Sequence, residues 1–506
     1  MTSGKYLRIT RQIGVSYVSS GMVFLLGPLL TYLLTRNLTV AEYGAFSIFL
    51  VIVNVSAVIL DFAFSHYMVN KFPGLSRRKM IKSFIPLLAF SFISALLIVL
   101  FLAFTPFKDV FIQTFGLTGY WFEFQLLMIL VFMGIPLRVM LGYLSAKKEI
   151  ELSSILVFVR QSFWVFLLFV FIWAMGGLTL LNVMYLWIAG FAIAFILCLY
   201  WLRKDFAYFF SKIKKVSWVP IRTGLIYGLP LMPYLIGSWI VAVSDRFFLG
   251  YYMTLDQVGI YSLAYVLANI VFSFGIVMSG IFYPYVAEAW NKGEVIIKGR
   301  VGGSYNFLIN ASLKYSLIVI IPSAVGLFVL REHIVMLLSG QAYILAASVI
   351  PILLVYPIFA CMVTILQQTL MVRNRTKTIG VIYTFVAFLT IALNFLLVPI
   401  LGMFGVALAV SLSYVVLFLL IYYVSRSYFK VNWVFLKIGR IISASLAMGL
   451  FVFFLNLQGV GFEIPAILLG VVVYILMLFV FKVFVDAEIK ILRKVILKVL
   501  KRVKLK

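Results

Sequence analysis

The sequence predicts an all-α integral membrane protein. The expected architecture is about fourteen transmembrane helices, arranged as two parallel, pseudo-symmetric six-helix lobes around a central cavity, plus two C-terminal helices. Three observations predict it: the composition, the succession of long apolar segments, and the lopsided placement of positive charge.

Composition sets the class. Of 506 residues, 65% are hydrophobic and only 11% are charged, with a mean hydropathy of +1.16. A soluble globular chain is closer to half apolar and a quarter charged. So much apolar surface requires lipid as the solvent for most of the chain.

A bilayer core takes about 20 mostly apolar residues per helix. The first segment, 12–34, follows a basic start with no small-residue cleavage site, so it reads as a retained helix rather than a signal peptide. Next come 43–70, 82–104 and 122–145. The fifth and sixth, 153–173 and 180–202, are separated only by "WAMGGLTLLNVMYLW", where Gly176, Gly177 and Asn182 supply the turn. The remaining segments are 221–249, 257–286, 307–330, 343–371, 377–399, 404–425, 435–456 and 463–481. Continuous apolar runs of this length exclude the strands of a barrel, which are about 10 residues long and alternate.

Charge orients the spans. With the N-terminus placed inside, 35 of the 42 lysines and arginines fall in inner segments or at the inner ends of spans and three (Arg36, Lys108 and Arg331) in outer loops. Four lie elsewhere in the spans: Arg138, Arg160, Arg246 and Lys314. The positive-inside rule then puts both termini in the cytoplasm, and the plasma membrane is the expected location. The net charge of +27 is thereby explained as topology, and a nucleic-acid partner is not expected. The tail "DAEIKILRKVILKVLKRVKLK" (486–506) alternates apolar and basic residues at helical spacing. It reads as an amphipathic helix lying on the anionic inner leaflet, with a partner-binding tail as the other reading.

The chain also repeats itself. Residues 39–47 read "TVAEYGAFS" and residues 254–262 read "TLDQVGIYS", an offset of 215 residues. Each stretch occupies the outer turn between two spans, and the offset shifts the pattern by six helices. An even shift preserves orientation, so the halves are parallel repeats about an axis along the membrane normal. Convergence on a turn that needs a cap and a glycine is the alternative. The domain reading is therefore an N-lobe at 1–202, a cytoplasmic linker at 203–222, a C-lobe at 223–425, two additional helices at 426–485 and the tail at 486–506. Prolines interrupt the spans at 28, 86, 136, 230, 233, 284, 351 and 357. Among them "GLPLMP", with Gly228, Pro230 and Pro233, is the strongest hinge candidate.

Three stretches carry a family resemblance: "GLPLMPYLIGSWIVAVSDRFFLGYYMTLDQVGIYSLAYVLA", "LTRNLTVAEYGAFSIFLVIVNVSAVILDFAFS" and "NRTKTIGVIYTFVAFLTIALNFLLVPILGMFGVALAVSLSYV". The last includes Asn394, Pro399 and Gly405–Val406–Ala407. Together they resemble the Wzx-like polysaccharide flippases of the multidrug/oligosaccharidyl-lipid/polysaccharide exporter superfamily. The resemblance implies two six-helix lobes enclosing a V-shaped cavity, plus two extra helices. It also implies transfer of a polyprenyl-linked oligosaccharide from the inner to the outer leaflet.

Ionisable groups inside a membrane are costly and mark function or a partner. Arg138 and Arg160 fall at similar depth in neighbouring antiparallel spans. Two guanidinium forks there suit a phosphate or pyrophosphate, and snorkelling to inner headgroups is the alternative. Asp61, in "VILDFAFS", needs a partner. A salt bridge to Arg138 or Arg160 makes it structural; a proton or sodium ion makes it a coupling site; the family pattern carries an acid here, which does not decide between them. Asp245 and Arg246 are adjacent near the outer end of the seventh span. Neighbours on a helix face different ways, so one is expected to bond within its lobe and the other to point to the cavity mouth, where it would hold an outer gate. A structural polar pair is the other reading. Lys314 is either a second phosphate contact or a snorkelling side chain.

His66 and His333 have no metal-ligand spacing, and Cys198 and Cys361 read as small buried hydrophobes. No phosphate loop, nucleophile elbow or zinc signature occurs, so neither an enzyme nor a cofactor is expected. The rivals to a flippase of lipid-linked sugars are a cation-coupled multidrug exporter, a peptidoglycan lipid II flippase and a glycan polymerase or ligase. The longest outer loop, 105–121, has only Lys108 and Asp109 charged, which argues against the last. Four basic in-span groups against two acidic ones favour an anionic substrate over the drug exporter.

Overall fold

In the computed structural model, residues 15, 19, 21, 22 and 25–484 are described, except 213–216, 292–295, 298, 299, 302, 374, 430, 433–436 and 457–462. The amphipathic tail expected at 486–506 lies outside these residues, as does most of the first half of span 12–34.

Among the described residues, the regular elements are helices apart from a two-residue antiparallel strand pair, β1 (Ile296–Ile297) and β2 (Arg300–Val301). In lipid no water satisfies backbone amides, so a span must close its hydrogen bonds internally. Helix α1 covers residues 25–37. Helix α2 (Val40–Ile59) starts on a full capping box: the Thr39 hydroxyl accepts from Glu42 N, and Thr39 N donates to the Glu42 carboxylate. Helices α3 (Phe64–Lys71), α4 (Arg77–Phe104), α5 (Phe107–Thr114) and α6 (Trp121–Ala146) follow. Then come α7 (Ile150–Phe158), α8 (Trp164–Met175) and α9 (Leu180–Lys212). Helices α10 (Val219–Gly228), α11 (Met232–Val243) and α12 (Asp245–Tyr252) form one interrupted span and its extension. Beyond them lie α13 (Leu255–Asn291), α14 (Gly303–Ser339), α15 (Ala346–Leu353), α16 (Val355–Val372), α17 (Thr376–Leu401) and α18 (Met403–Ser425). The last two are α19 (Ile438–Asn456) and α20 (Glu463–Val480).

Among the described residues, twelve helical segments are long and apolar enough to cross a membrane, and Pro465–Val480 is a shorter apolar helix. The all-α multi-pass class is therefore as expected. Helix α9 runs to Lys212, beyond the expected span end at 202. Its extension is held by Asp205, which is buried and accepts from Arg77 (2.8 Å), Lys147 (2.9 Å) and the Tyr143 hydroxyl (3.2 Å). That cluster ties α9 to α4 and α6.

Two compact units form. One comprises 1–264, 336–349 and 375–413; the other comprises 265–335, 350–374 and 414–506. In the first, α6 is the central helix, with 72% of its most apolar window enclosed by protein, against 22% for the peripheral α4. Tyr143 of α6 stacks on Phe84 of α4 at 3.9 Å. A second aromatic group joins Phe46, Trp164 and Trp187 from α2, α8 and α9. In the other unit, Tyr265 stacks on Tyr356 at 5.4 Å, and the Tyr356 hydroxyl donates to Asn269 Oδ1 at 2.7 Å.

Candidate functional site

The candidate site is built where α2 stops. After Ile59 the chain turns through Leu60–Ala63 before α3 resumes. Phe62 and Ala63 have φ of 48° and 58°, a region that costs a non-glycine residue about 1–3 kcal/mol. The strain is held by Asp61. Its carboxylate is 1% exposed and accepts from Ser65 N at 3.2 Å, capping the restarted helix. It also accepts from Arg138 Nε at 3.3 Å. Ser65 Oγ in turn donates to the Arg138 carbonyl at 3.1 Å. Close approach of α3 to α6 depends on Gly142, where a Cβ would come within 2.7 Å of Ser65 Cα. Asp61 thus meets Arg138, one of the two partners expected for it.

Arg138 is about one-third exposed, and among the described residues its Nη groups bond nothing. Arg160 lies within its electrostatic reach, as does the exposed His66. The local backbone at Arg160 departs from an α-helix: Val159–Phe163 is a π turn between α7 and α8. Such a turn inserts one residue into the helix and re-aims its side chains, often at functional sites. The Arg160 guanidinium sits 5.7 Å from the Phe191 ring, and its Nε is buried without a hydrogen-bond partner among the described residues. The turn is anchored by Trp164, whose indole donates to the Gln161 carbonyl at 3.0 Å and packs against Gly190. Arg138 takes the Asp61 carboxylate, and Arg160, within its electrostatic reach, has no ion-pair partner among the described residues. The excess positive charge and the unfilled donor favour an anion with several acceptor oxygens.

The candidate hinge lies beside this break. Between α10 and α11, Leu229–Leu231 winds as a 3-10 turn containing Pro230, and Pro233 sits in the first turn of α11. Gly228 abuts the α2 break: a Cβ there would fall on the Phe62 carbonyl oxygen. Ala63 and Val58 bury against Met232 and Leu235. Gly228, Pro230 and Pro233 are thus together at a real interruption of the span. Next to it, Pro230, Pro233, Gly380 and Phe385 line an open apolar groove of about 620 Å³ with Lys377 at its edge.

Asp245 and Arg246 depart from the expected split. They bond each other: Asp245 Oδ1 accepts from Arg246 N at 2.8 Å and from Arg246 Nη1 at 3.0 Å. The Tyr261 hydroxyl of α13 donates to Asp245 Oδ2 at 2.7 Å. Both charges are buried. A side chain as long as arginine folds back on its neighbour, which removes the assumption that adjacent residues must serve different faces. Lys314 belongs to the other compact unit and is wholly buried, so it does not snorkel. Cys198 and Cys361 are free and buried, and among the described residues no group of His, Cys, Asp and Glu could hold a metal.

Sequence reasoning missed Ser65, Tyr261 and the π turn. Ser65 and Tyr261 are ordinary residues in a span until the fold gives each a buried carboxylate.

A family model described as "Polysaccharide biosynthesis protein" matches residues 9–290. The probable low-salt glycan biosynthesis flippase Agl15 of Haloferax volcanii is 24% identical over 268 residues, which is 52% of this chain and 55% of that protein. An uncharacterized membrane protein of Methanocaldococcus jannaschii is 25% identical over 280 residues, 55% of this chain and 52% of that protein. The chain thus spans about half the length of these curated relatives in its matches. Among solved structures, the lipid II flippase MurJ in its inward closed conformation superposes with a TM-score of 0.75 at 17% identity, covering 92% of this chain and 98% of that one. An inward-facing MATE family multidrug resistance transporter of the MOP superfamily gives 0.62 at 14% identity, covering 85% and 95%. These likenesses establish the fold. With more than half of its length matched by the family model, the chain belongs to the polysaccharide biosynthesis protein family of multi-pass membrane proteins.

Proposed function

We propose that this protein is a flippase that moves a polyprenyl-(pyro)phosphate-linked oligosaccharide from the inner to the outer leaflet of the plasma membrane, for cell-surface polysaccharide synthesis. The observation that carries the reading is the pair Arg138 and Arg160: two guanidiniums within electrostatic reach of each other, of which only Arg138 has a carboxylate and Arg160 has, among the described residues, a buried unfilled donor. A pyrophosphate supplies both the charge and the acceptors. Family membership and the flippase named among the relatives support the same reading.

Positive charge concentrated on alternate loops orients the protein with both termini cytoplasmic. The headgroup enters from the inner side, the arginines replace its water, and the two lobes, 1–202 and 223–425, rock about the Gly228–Pro233 hinge. The prenyl tail stays in lipid. Lys314 is kept as a second-lobe contact reached during the cycle, and Asp61 as a structural counter-charge. A proton or sodium ion remains open as a coupling species. The tail at 486–506 rests on anionic inner-leaflet lipid.

A second reading, the cation-coupled drug exporter, draws on the shared fold with the MATE transporters. The surplus of basic charge at the site weighs against it. The test is transport in sealed vesicles holding a prenyl-pyrophosphate oligosaccharide, with outer-leaflet sugar followed by a lectin probe. Arg160→Gln and Arg138→Gln are each expected to slow transport about 10–100-fold, the factor implied by losing a hydrogen bond to a charged group. Gradient-driven efflux of an organic cation, with no movement of lipid-linked sugar, replaces the flippase reading by the exporter.

A further inference from the structure

The two repeated turns meet each other. With the 215-residue offset, Val40 corresponds to Leu255 and Gly44 to Gly259. A Cβ at Gly44 would fall on the Leu255 carbonyl oxygen and come within 3.1 Å of Gly259 N. A Cβ at Gly259 would fall on the Val40 carbonyl oxygen and come within 3.3 Å of Gly44 N. Each glycine therefore contacts the residue equivalent to the one its counterpart contacts. This is the reciprocity of a two-fold interface, made here within one chain. Helices α2 and α13 cross in backbone contact at their first turns.

A second, independent contact fastens the same end of the bundle. Arg36, in the last turn of α1, donates through Nη2 to the carbonyls of Met336 (2.7 Å) and Leu337 (2.9 Å). These are end-of-helix carbonyls of α14, which carry the negative end of the dipole; Met336 O also accepts from Gly340 N at 3.0 Å. Thr35 Oγ1 donates to Ser339 Oγ at 2.9 Å, and the rings of Tyr43 and Tyr343 meet edge-on at 5.9 Å, both buried. All of these contacts join the first repeat to the second, and all lie within the same compact unit.

We infer that the reciprocal Gly44–Gly259 crossing, fastened by Arg36, is a latch that closes this end of the transport path and must part in every cycle. This rests on the flippase reading insofar as a path must open there. The latch is built for separation. The glycine crossing itself inserts no side chain, and the buried rings that parting would uncover, Tyr43 and Tyr343, each carry a hydroxyl that water can satisfy. The Arg36 clasp is exposed and bonds only carbonyls, so water can replace it as it leaves.

The test places spin labels at Ala41→Cys and Asp256→Cys, equivalent positions on the first turns of α2 and α13, and reads the distance distribution in lipid nanodiscs. Native Cys198 and Cys361 are buried, so labelling goes to the introduced thiols. Gly44→Val and Gly259→Val are each expected to move the population from the short to the long distance by about tenfold, since a side chain there overpacks a contact where even a Cβ meets a carbonyl oxygen. Either alone suffices, because the contact is reciprocal. Arg36→Gln is expected to give a smaller shift in the same direction, and it decides the matter if a valine variant does not reach the membrane. A short distance that persists in the valine variants, or no shift with Arg36→Gln where those fail, overturns the latch. The distance measurement needs no substrate. A latch that shifts as expected in a protein that flips no lipid-linked sugar therefore refutes the flippase reading alone.

Discussion

Asp61→Asn separates a structural acid from a coupling acid. Asparagine keeps the size of the side chain and one acceptor oxygen, so the cap on Ser65 N at 3.2 Å survives. What disappears is the charge opposite Arg138, 3.3 Å away. At that distance a surface-like effective dielectric gives a gross attraction of about 4–5 kcal/mol. Arg138 is one-third exposed, and solvent screening reduces the net loss to about 1–3 kcal/mol. The assay is thermal unfolding of the purified protein in detergent, read beside flipping in vesicles. We expect Asp61→Asn to lower the midpoint by several degrees, and Asp61→Asn with Arg138→Gln to cost less than the sum of the two, because each single change leaves a charge alone. Flipping per folded molecule should persist in Asp61→Asn, with no loss of coupling to an imposed gradient. An unchanged midpoint with flipping abolished refutes the structural assignment and makes Asp61 the coupling site.

Two further changes report on the frame around the site. Tyr261→Phe removes the hydroxyl that donates to Asp245 at 2.7 Å and should lower stability by about 1–3 kcal/mol, checked by the same unfolding measurement. Gly228→Ala drives a methyl onto the Phe62 carbonyl and should reduce both folded yield and transport rate, whereas Gly74→Ser, where a Cβ meets nothing within 4 Å, should leave transport unchanged apart from the cost of its positive φ. Yield is read by gel-filtration profile and rate by the vesicle assay.

Much of the fold is legible in the sequence because lipid imposes a coarse, strict grammar. An apolar run of span length has no alternative to a helix, and basic loops mark one side. That Asp61 needs a partner, Arg138 or Arg160 or a bound ion, is legible for a related reason, since a carboxylate in an apolar helix is costly alone; which of them it takes is not. The break itself was not. "LDFAFS" contains neither proline nor glycine, and the two residues forced to positive φ are Phe62 and Ala63. Nothing local asks for that; the conformation is imposed by Asp61 capping the next helix and by Gly228 across the interface. The π turn at Arg160 is equally silent, since "VRQSF" carries no helix breaker. The end of α9 was misjudged because the apolar pattern stops at 202, while the helix continues on the strength of Asp205 and its three donors. The echo of 39–47 in 254–262 was visible as repetition. That its two glycines touch is a long-range fact, and one sequence does not contain it.

The two broken spans explain each other. Interrupting a helix in a membrane frees carbonyls that water cannot reach, and such a break survives only where protein covers it. The α2 break is covered by the α10–α11 interruption. Gly228 lets the two backbones approach until its Cα meets the Phe62 carbonyl, a contact that any side chain would hold open. Pro230 and Pro233 then supply the bend that keeps α11 along Val58 and Ala63. A helix that pivots at Leu229–Leu231 therefore pulls on Phe62, and through it on Asp61 and Arg138. The proposed hinge is in contact with the proposed anion site because each break is the other's cover. Motion at either one reaches the guanidinium that the proposed substrate neutralises.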